Sequence, residues 1–251
     1  MDDKNPGVMI VTGGGRGIGA ATSRLAARRG FAVCVNYKSN GAAAESIVKE
    51  IRASGGKAVA VAGDVAREAD VVRMFDAARE LGTVTSLVNN AGILERQCRL
   101  DEMETRRFER VFATNVIGLL ICSREAVRRM STRHGGKGGT IVMVSSMASR
   151  LGSPGEYVDY AGTKGAVDSI TTGLAKEVAE EGIRVNAVRP GVIKTEIHAS
   201  GGEPGRVERV KQAVPMKRGG EPEEVARAIL WLCSDEASYS TGTFIDVSGG
   251  R

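Results

Sequence analysis

Short apolar runs alternate along this chain with stretches in which apolar residues recur every three or four positions. The runs at 8–12, 32–36, 58–62, 86–89, 140–145, 184–188 and 243–247 predict β-strands. Between them the period lengthens to that of amphipathic helices, near 17–29, 41–54, 68–81, 101–133, 157–181 and 221–234. Such alternation builds βαβ units, and therefore a parallel sheet with helices on both faces and right-handed crossovers. The predicted class is α/β, one doubly wound parallel sheet of about seven strands, with residues 1–251 as one domain.

In an open sheet of this kind ligands bind beyond the carboxyl ends of the strands. The chemistry-bearing residues fall there: Gly13 after the first strand, Asp64 after the third, Asn89-Asn90-Ala91-Gly92 at the fourth, Ser145 and Ser146 after the fifth, Pro190-Gly191 after the sixth. The segment Thr12-Gly13-Gly14-Gly15-Arg16-Gly17-Ile18-Gly19 reads as strand, glycine turn, helix. Glycines let the backbone approach a pyrophosphate, which then meets the donor-rich helix N-terminus. Gly13, Gly17 and Gly19 give G-x-x-x-G-x-G in place of the usual G-x-G-x-x-G. An ATP-type phosphate loop fails, because Ala20 stands where that loop needs lysine.

A nicotinamide dinucleotide site of this architecture uses an Asp or Glu at the end of the second strand to hold the ribose 2′-hydroxyl. Here the strand runs into Asn36-Tyr37-Lys38-Ser39, without a carboxylate, while Arg16 and Lys38 supply cations for a 2′-phosphate. NADP(H) is therefore favoured over NAD(H).

Tyr160 and Lys164 stand four positions apart, on one face of the predicted helix 157–181. A cation beside a phenol favours phenolate, so Lys164 is expected to lower the pKa of Tyr160 into the range of a general acid and base. Tyr157 meets Ala161 at the same spacing and cannot be activated that way. Ser145, Ser146 and Ser149 compete for the role of a hydroxyl that polarises a substrate oxygen.

Composition narrows the classes. Hydrophobic content is 42%, aromatics are 4%, and the 33 glycines imply many tight turns. The longest apolar run, 116–122, is far short of the ~20 residues of a membrane span, so a cytoplasmic enzyme without a membrane partner is expected. Four dispersed cysteines and two histidines, His134 and His198, suit neither a metal site nor a serine–histidine triad. The net charge of +5 raises nucleic acid as a partner. Against it, Arg106, Arg107, Arg110, Arg124, Arg128, Arg129 and Arg133 interleave with Glu104, Glu109 and Glu125, the pattern of solvated helix faces.

Taken together, Thr12-Gly13-x-x-x-Gly17-Ile18-Gly19, Asp64-Val65, Asn89-Asn90-Ala91-Gly92, Asn115, a serine after the fifth strand, Tyr160-x-x-x-Lys164, Pro190-Gly191, Thr241-Gly242 and Asp246-Val247-Ser248-Gly249-Gly250 resemble the short-chain dehydrogenase/reductase family over essentially the whole chain. The resemblance implies a Rossmann fold and hydride transfer between a nicotinamide and a carbonyl or secondary alcohol. It implies catalytic roles for Asn115, Ser146, Tyr160 and Lys164, with Ser146 favoured by its spacing before the tyrosine. Asp64 and Val65 would contact adenine, Asn90, Ala91 and Gly92 the adenosine ribose region, and Ile193 and Thr195 the carboxamide; Lys164 would reach the nicotinamide ribose, and Asn115 would hold a water linking Lys164 to solvent. Homotetramerisation through the helices near 101–133 and 157–181 and the C-terminal Phe244-Ile245 region is also implied. Residues 195–216 are the expected substrate flap, whose Lys194, Arg206, Arg209 and Lys211 suit either an acidic substrate or plain solvation. The stretch Met147–Asp159 resembles sugar or polyol dehydrogenases, and the broader pattern 3-oxoacyl-carrier-protein reductases; a non-catalytic NADP sensor is the alternative from another class.

Overall fold

A computed structural model describes residues 6–251. In chain order its elements are β1 Val8–Val11, α1 Gly17–Arg28, β2 Ala32–Tyr37, α2 Gly41–Ala53, β3 Ala58–Ala62, α3 Glu68–Arg79, β4 Val84–Asn89, α4 Thr105–Phe112, α5 Leu119–Met130, β5 Gly139–Val144, α6 Ala148–Leu151, α7 Val158–Glu177, β6 Ile183–Pro190, α8 Ile197–Ser200, α9 Arg206–Val210, α10 Pro222–Leu232 and β7 Phe244–Val247. All seven strands pair in parallel in the order β3-β2-β1-β4-β5-β6-β7. The order reverses between β1 and β4, and this switch point is where such sheets leave a crevice at their carboxyl ends.

The central strands are buried on both faces, which explains their unbroken apolar runs. One core cluster joins alternate residues of β1, β4, β5 and β6 to α3, α5 and α7; the other joins the opposite strand face to α1, α2 and α10. Local signals set the helix ends. Asn40 caps α2 by accepting from the Ala43 N–H at 3.0 Å, and α10 starts at Pro222 with Glu224 accepting from the Glu221 N–H at 2.8 Å.

Three sequence expectations are corrected. The helix near 101–133 is two helices, α4 and α5, joined by a π-helical stretch over Ala113–Gly118. A π-bulge adds a residue without disturbing the apolar face enough to show in the pattern. The arginine–glutamate series is not uniformly solvated: Glu125 is buried against Arg128 and Arg129, and Arg107 is buried against Asp159. Finally, residues 195–216, expected as a loop over the substrate, carry α8 and α9, helices too short to declare themselves by period.

Candidate active site

A cleft of about 620 Å³ opens at the carboxyl ends of the strands. Its walls include Gly13, Gly15, Arg16, Gly17, Ile18, Asn36, Tyr37, Lys38, Asp64, Val65, Asn90, Ala91, Gly92, Ser146, Tyr160, Lys164, Pro190, Gly191, Ile193 and Thr195. Thus nearly every candidate residue meets in one place. The two that stand behind the wall are Gly19 and Asn115, both buried.

The glycine loop is built by backbone and amide bonds. Gly13 and Gly17 take φ of +61° and +50°, conformations that glycine adopts without the Cβ penalty. Asn90 Nδ2 donates to the carbonyls of Thr12 and Gly13 at 2.9 and 3.0 Å, and the Thr12 hydroxyl accepts from the Asn90 and Ala91 N–H groups. Gly19 packs so closely that an added Cβ would strike the Gly13 carbonyl and lie 2.6 Å from Asn90 Nδ2. No side chain caps the start of α1 and its first turn holds no acid, so its N–H donors remain available to an anion in the cleft. This arrangement fits the pyrophosphate of a dinucleotide.

Asn36 turns inward. Its Nδ2 donates to the Gly63 carbonyl at 3.1 Å and its Oδ1 accepts from the Gly13 N–H at 3.3 Å, so its side chain fastens the glycine loop to the end of β3. Lys38 is exposed and paired with Asp64 at 2.7 Å. Arg16 is exposed too, and no carboxylate among the described residues lies within ion-pair range of it. The two cations weighed from sequence therefore differ: one is already neutralised.

At the other end of the cleft α7 presents Tyr160 and Lys164. Tyr160 is half-buried and Lys164 only 4% exposed. The expected lowering of the phenol pKa by Lys164 does not occur within the polypeptide. Burial pushes Tyr160 up to about 12, opposed only by its hydrogen bond with Ser146, while burial pulls Lys164 down to about 8 against the charge of Asp168. The physical reason is that Lys164 Nζ donates to the Val144 carbonyl at 2.7 Å and lies 5.4 Å from the phenol ring centroid, over its face. It is a neighbour of the ring, with one of its three N–H donors on a backbone carbonyl.

The three serines face different partners. Ser145 is buried, 2.6 Å from Asp168 Oδ1, and Ser149 bonds the Ser146 carbonyl, whereas Ser146 bonds Tyr160. Tyr157 is buried, its hydroxyl accepting from Gln97 at 3.0 Å. Asn115 sits in the π-helical stretch with both ends of its amide engaged: Oδ1 accepts from the Ile93 N–H at 2.8 Å, and Nδ2 donates to the Ile93 carbonyl at 3.1 Å and Thr163 Oγ1 at 3.3 Å. Thr163 in turn donates to the Tyr160 carbonyl at 2.7 Å. Asn115 thus ties the strand-four loop to the turn carrying tyrosine and lysine.

One buried ion pair escaped the sequence. Arg107 of α4 makes a bidentate pair with Asp159, at 2.7 and 3.0 Å, and its Nη1 donates to the Arg96 carbonyl at 2.5 Å. Asp159 immediately precedes Tyr160, so the pair pins the start of α7 to the loop walling the cleft. A carboxylate directly before the tyrosine was the available signal; its partner lies 52 residues away.

Known proteins bear on this geometry. Residues 13–251 match the family described as Enoyl-(Acyl carrier protein) reductase. The chain is 57% identical to "Uncharacterized oxidoreductase YgfF" of Escherichia coli (strain K12) over 245 residues, 97% of this chain and 99% of the relative. It is 36% identical to "Glucose 1-dehydrogenase 2" of Bacillus subtilis (strain 168), covering 96% and 93% of the two chains. The crystal structure of 3-ketoacyl-(acyl-carrier-protein) reductase from Brucella melitensis complexed with NADH superposes with a TM-score of 0.89 at 33% identity, covering 97% of each chain. A seven-stranded parallel Rossmann sheet, a cleft at its switch point and these full-length likenesses lead to one conclusion: the chain belongs to the short-chain dehydrogenase/reductase family and is a nicotinamide-dependent oxidoreductase.

Proposed function

We propose that the chain interconverts a carbonyl and a secondary alcohol with NADP(H), using Tyr160 as general acid and base, and that its substrate is a sugar or polyol. The observation that carries this reading is the convergence of Ser146, Tyr160 and Lys164 on one wall of the cleft that the glycine loop also lines. When bound, the nicotinamide supplies or accepts the hydride.

The chain's own residues handle the proton. Burial keeps the Tyr160 phenol protonated at neutral pH, ready to give its proton to an oxygen that gains charge. Ser146, bonded to that phenol, offers the second contact to the same oxygen. Lys164, cationic below about 8 and 5.4 Å from the ring centroid, would reach the nicotinamide ribose. Asn115 positions these groups through Ile93 and Thr163, which supports a positioning role beside the water-holding one expected of it.

Gly13, Gly15, Gly17, Ile18 and the start of α1 would hold the pyrophosphate, Asp64, Val65 and Asn90–Gly92 the adenosine end, and Pro190–Thr195 the nicotinamide end. Preference for NADP(H) rests on the absence of a carboxylate after β2 and on the unpaired Arg16. Comparing Michaelis constants for NADPH and NADH tests it, and a clear preference for NADH overturns it. A 3-oxoacyl thioester is the second substrate reading, favoured by the likeness to the Brucella melitensis reductase. A panel of aldoses, polyols and 3-oxoacyl thioesters, followed by NADPH absorbance, separates the two; no turnover of any member contradicts the enzymatic reading. A homotetramer is supported by the exposed Phe112, Ile117 and Leu120 on the α4–α5 side, and light scattering checks it.

A further inference from the structure

Tyr160, Lys164 and Asp168 recur at four-residue spacing along α7 and so share a broad face of it. Tyr160 and Lys164 line the cleft; Asp168 stands one turn behind them, outside its wall. Its carboxylate makes two contacts. Oδ1 accepts from the Ser145 hydroxyl at 2.6 Å, and Oδ2 accepts from Arg189 Nε at 3.0 Å.

The ion pair is sheltered. The side chains of Arg189 and Asp168 are 13% and 16% exposed, so solvent screens their charges less than those of the surface pairs. Arg189, from β6, is itself fixed. Its guanidinium lies 3.9 Å from the centroid of the Phe244 ring and 3.5 Å from Asp246 of β7, which also takes Arg150 of α6 at 2.8 Å.

What the pair holds is the chain leaving β5. Val144, Ser145 and Ser146 are consecutive, and α7 grips the first two. Lys164 Nζ donates to the Val144 carbonyl at 2.7 Å, and Asp168 takes the Ser145 hydroxyl, which also lies 3.3 Å from the Lys164 carbonyl. The third, Ser146, bonds Tyr160. A staple between α7 and β6 needs Arg189 and Asp168 alone; the short bond to Ser145 adds control over the residue next to Ser146. Charge supplies a second link. Lys164 is faced by Tyr160 and Asp168, and the charge of Asp168 is what opposes its burial. Arg189 offsets part of that charge, with Asp246 and Arg150 beyond it.

We propose that Asp168 is a positioning residue for the reaction: held by Arg189, it fastens Ser145 to α7 and so sets Ser146 and Lys164 in register with Tyr160. This deepens the reading of Tyr160 as the acid and rests on it. Asp168 acts through its neighbours, so its loss should weaken the chemical step and leave cofactor binding alone.

Two measurements test this. The first is kcat with the best carbonyl of the panel above. Ser145→Ala removes the bond and keeps both charges; kcat should fall about 10-fold, with NADPH affinity within about twofold of wild type. The second is the titration of the Lys164 amine, read by NMR in protein carrying ¹³C-labelled lysine and assigned by its loss in Lys164→Met. Wild type should titrate near 8. Asp168→Asn, which keeps an acceptor for Ser145 but loses the charge, should lower that midpoint by about one pH unit. Arg189→Met, which leaves the Asp168 charge less offset, should raise it. A pair that merely fastened α7 to β6 would move the midpoint the same way whichever partner was removed. A Ser145→Ala enzyme with the kcat of wild type, or midpoints that fail to separate in these opposite directions, would overturn the proposal. Absent turnover by wild type would instead contradict the oxidoreductase reading, and the amine titrations, which need no turnover, would still decide on Asp168.

Discussion

The two ends of the cleft are built by different physics. At the glycine-loop end, backbone carbonyls and N–H groups are bound by Thr12, Asn36 and Asn90, whose side-chain partners lie in neighbouring strands and loops of a rigid sheet. At the end walled by residues 195–216, α9 and the turn before it are held by ion pairs among Glu156, Glu203, Arg206 and Arg209. The first end is finished before any ligand arrives, as suits a cofactor shared by many enzymes. The second is held by side-chain charges that reach between distant segments.

Breaking the buried pair at the start of α7 should have the largest effect on stability. Arg107→Met leaves the carboxylate of Asp159 buried and alone, and should cost about 3–5 kcal/mol in chemical denaturation. Adding Asp159→Leu should recover much of that loss; a single variant as stable as wild type would show that the pair does not anchor α7. At the glycine-loop end, Gly19→Ala should cost about 1–3 kcal/mol and weaken NADPH binding, since its Cβ meets backbone that cannot retreat. Binding as tight as in wild type would mean that the loop tolerates a shift.

Lys164 offers a sharper test, through pH. The folded chain releases its proton near 8 and the unfolded chain near 10.5, so between those values the unfolded state binds more protons and stability due to this residue rises with pH. The difference in unfolding free energy between wild type and Lys164→Met should be flat below pH 8 and move in favour of wild type up to pH 10.5. A difference independent of pH across that window would contradict the burial-driven shift. The smallest effect belongs to the exposed cations. Lys38→Ala breaks a surface pair with Asp64 and should change stability by less than about 1 kcal/mol. Arg16→Ala should narrow the proposed NADPH-to-NADH preference more than Lys38→Ala does, and the reverse order would show that Lys38 leaves Asp64 to bind phosphate.

The same contrast governs what could be read in advance. Strand runs, the glycine turn and the position of every motif after a strand end were legible, because strand burial, backbone conformation and sheet topology impose local patterns on the chain. Asn36 was placed at the cofactor from its position, but its inward turn depends on where Gly63 lies. Lys164 was placed beside Tyr160 correctly by helical spacing, whereas the sense of the phenol's pKa depended on the Val144 carbonyl, which no spacing reveals. Arg107 with Asp159, and Arg206 with Glu156, are contacts between distant segments, and in the sequence each looked like an ordinary surface charge. Asn115 was singled out only through the resemblance; the π-helical turn around it was hidden because one added residue barely disturbs the apolar period.

The account turns on Tyr160 as the proton donor to the substrate. Single-turnover oxidation of bound NADPH by a reactive carbonyl, measured for wild type and Tyr160→Phe at equal cofactor occupancy, tests this directly. The rate should fall by about 10²–10⁴-fold with NADPH affinity unchanged within about twofold. A Phe variant that turns over within threefold of wild type would contradict it.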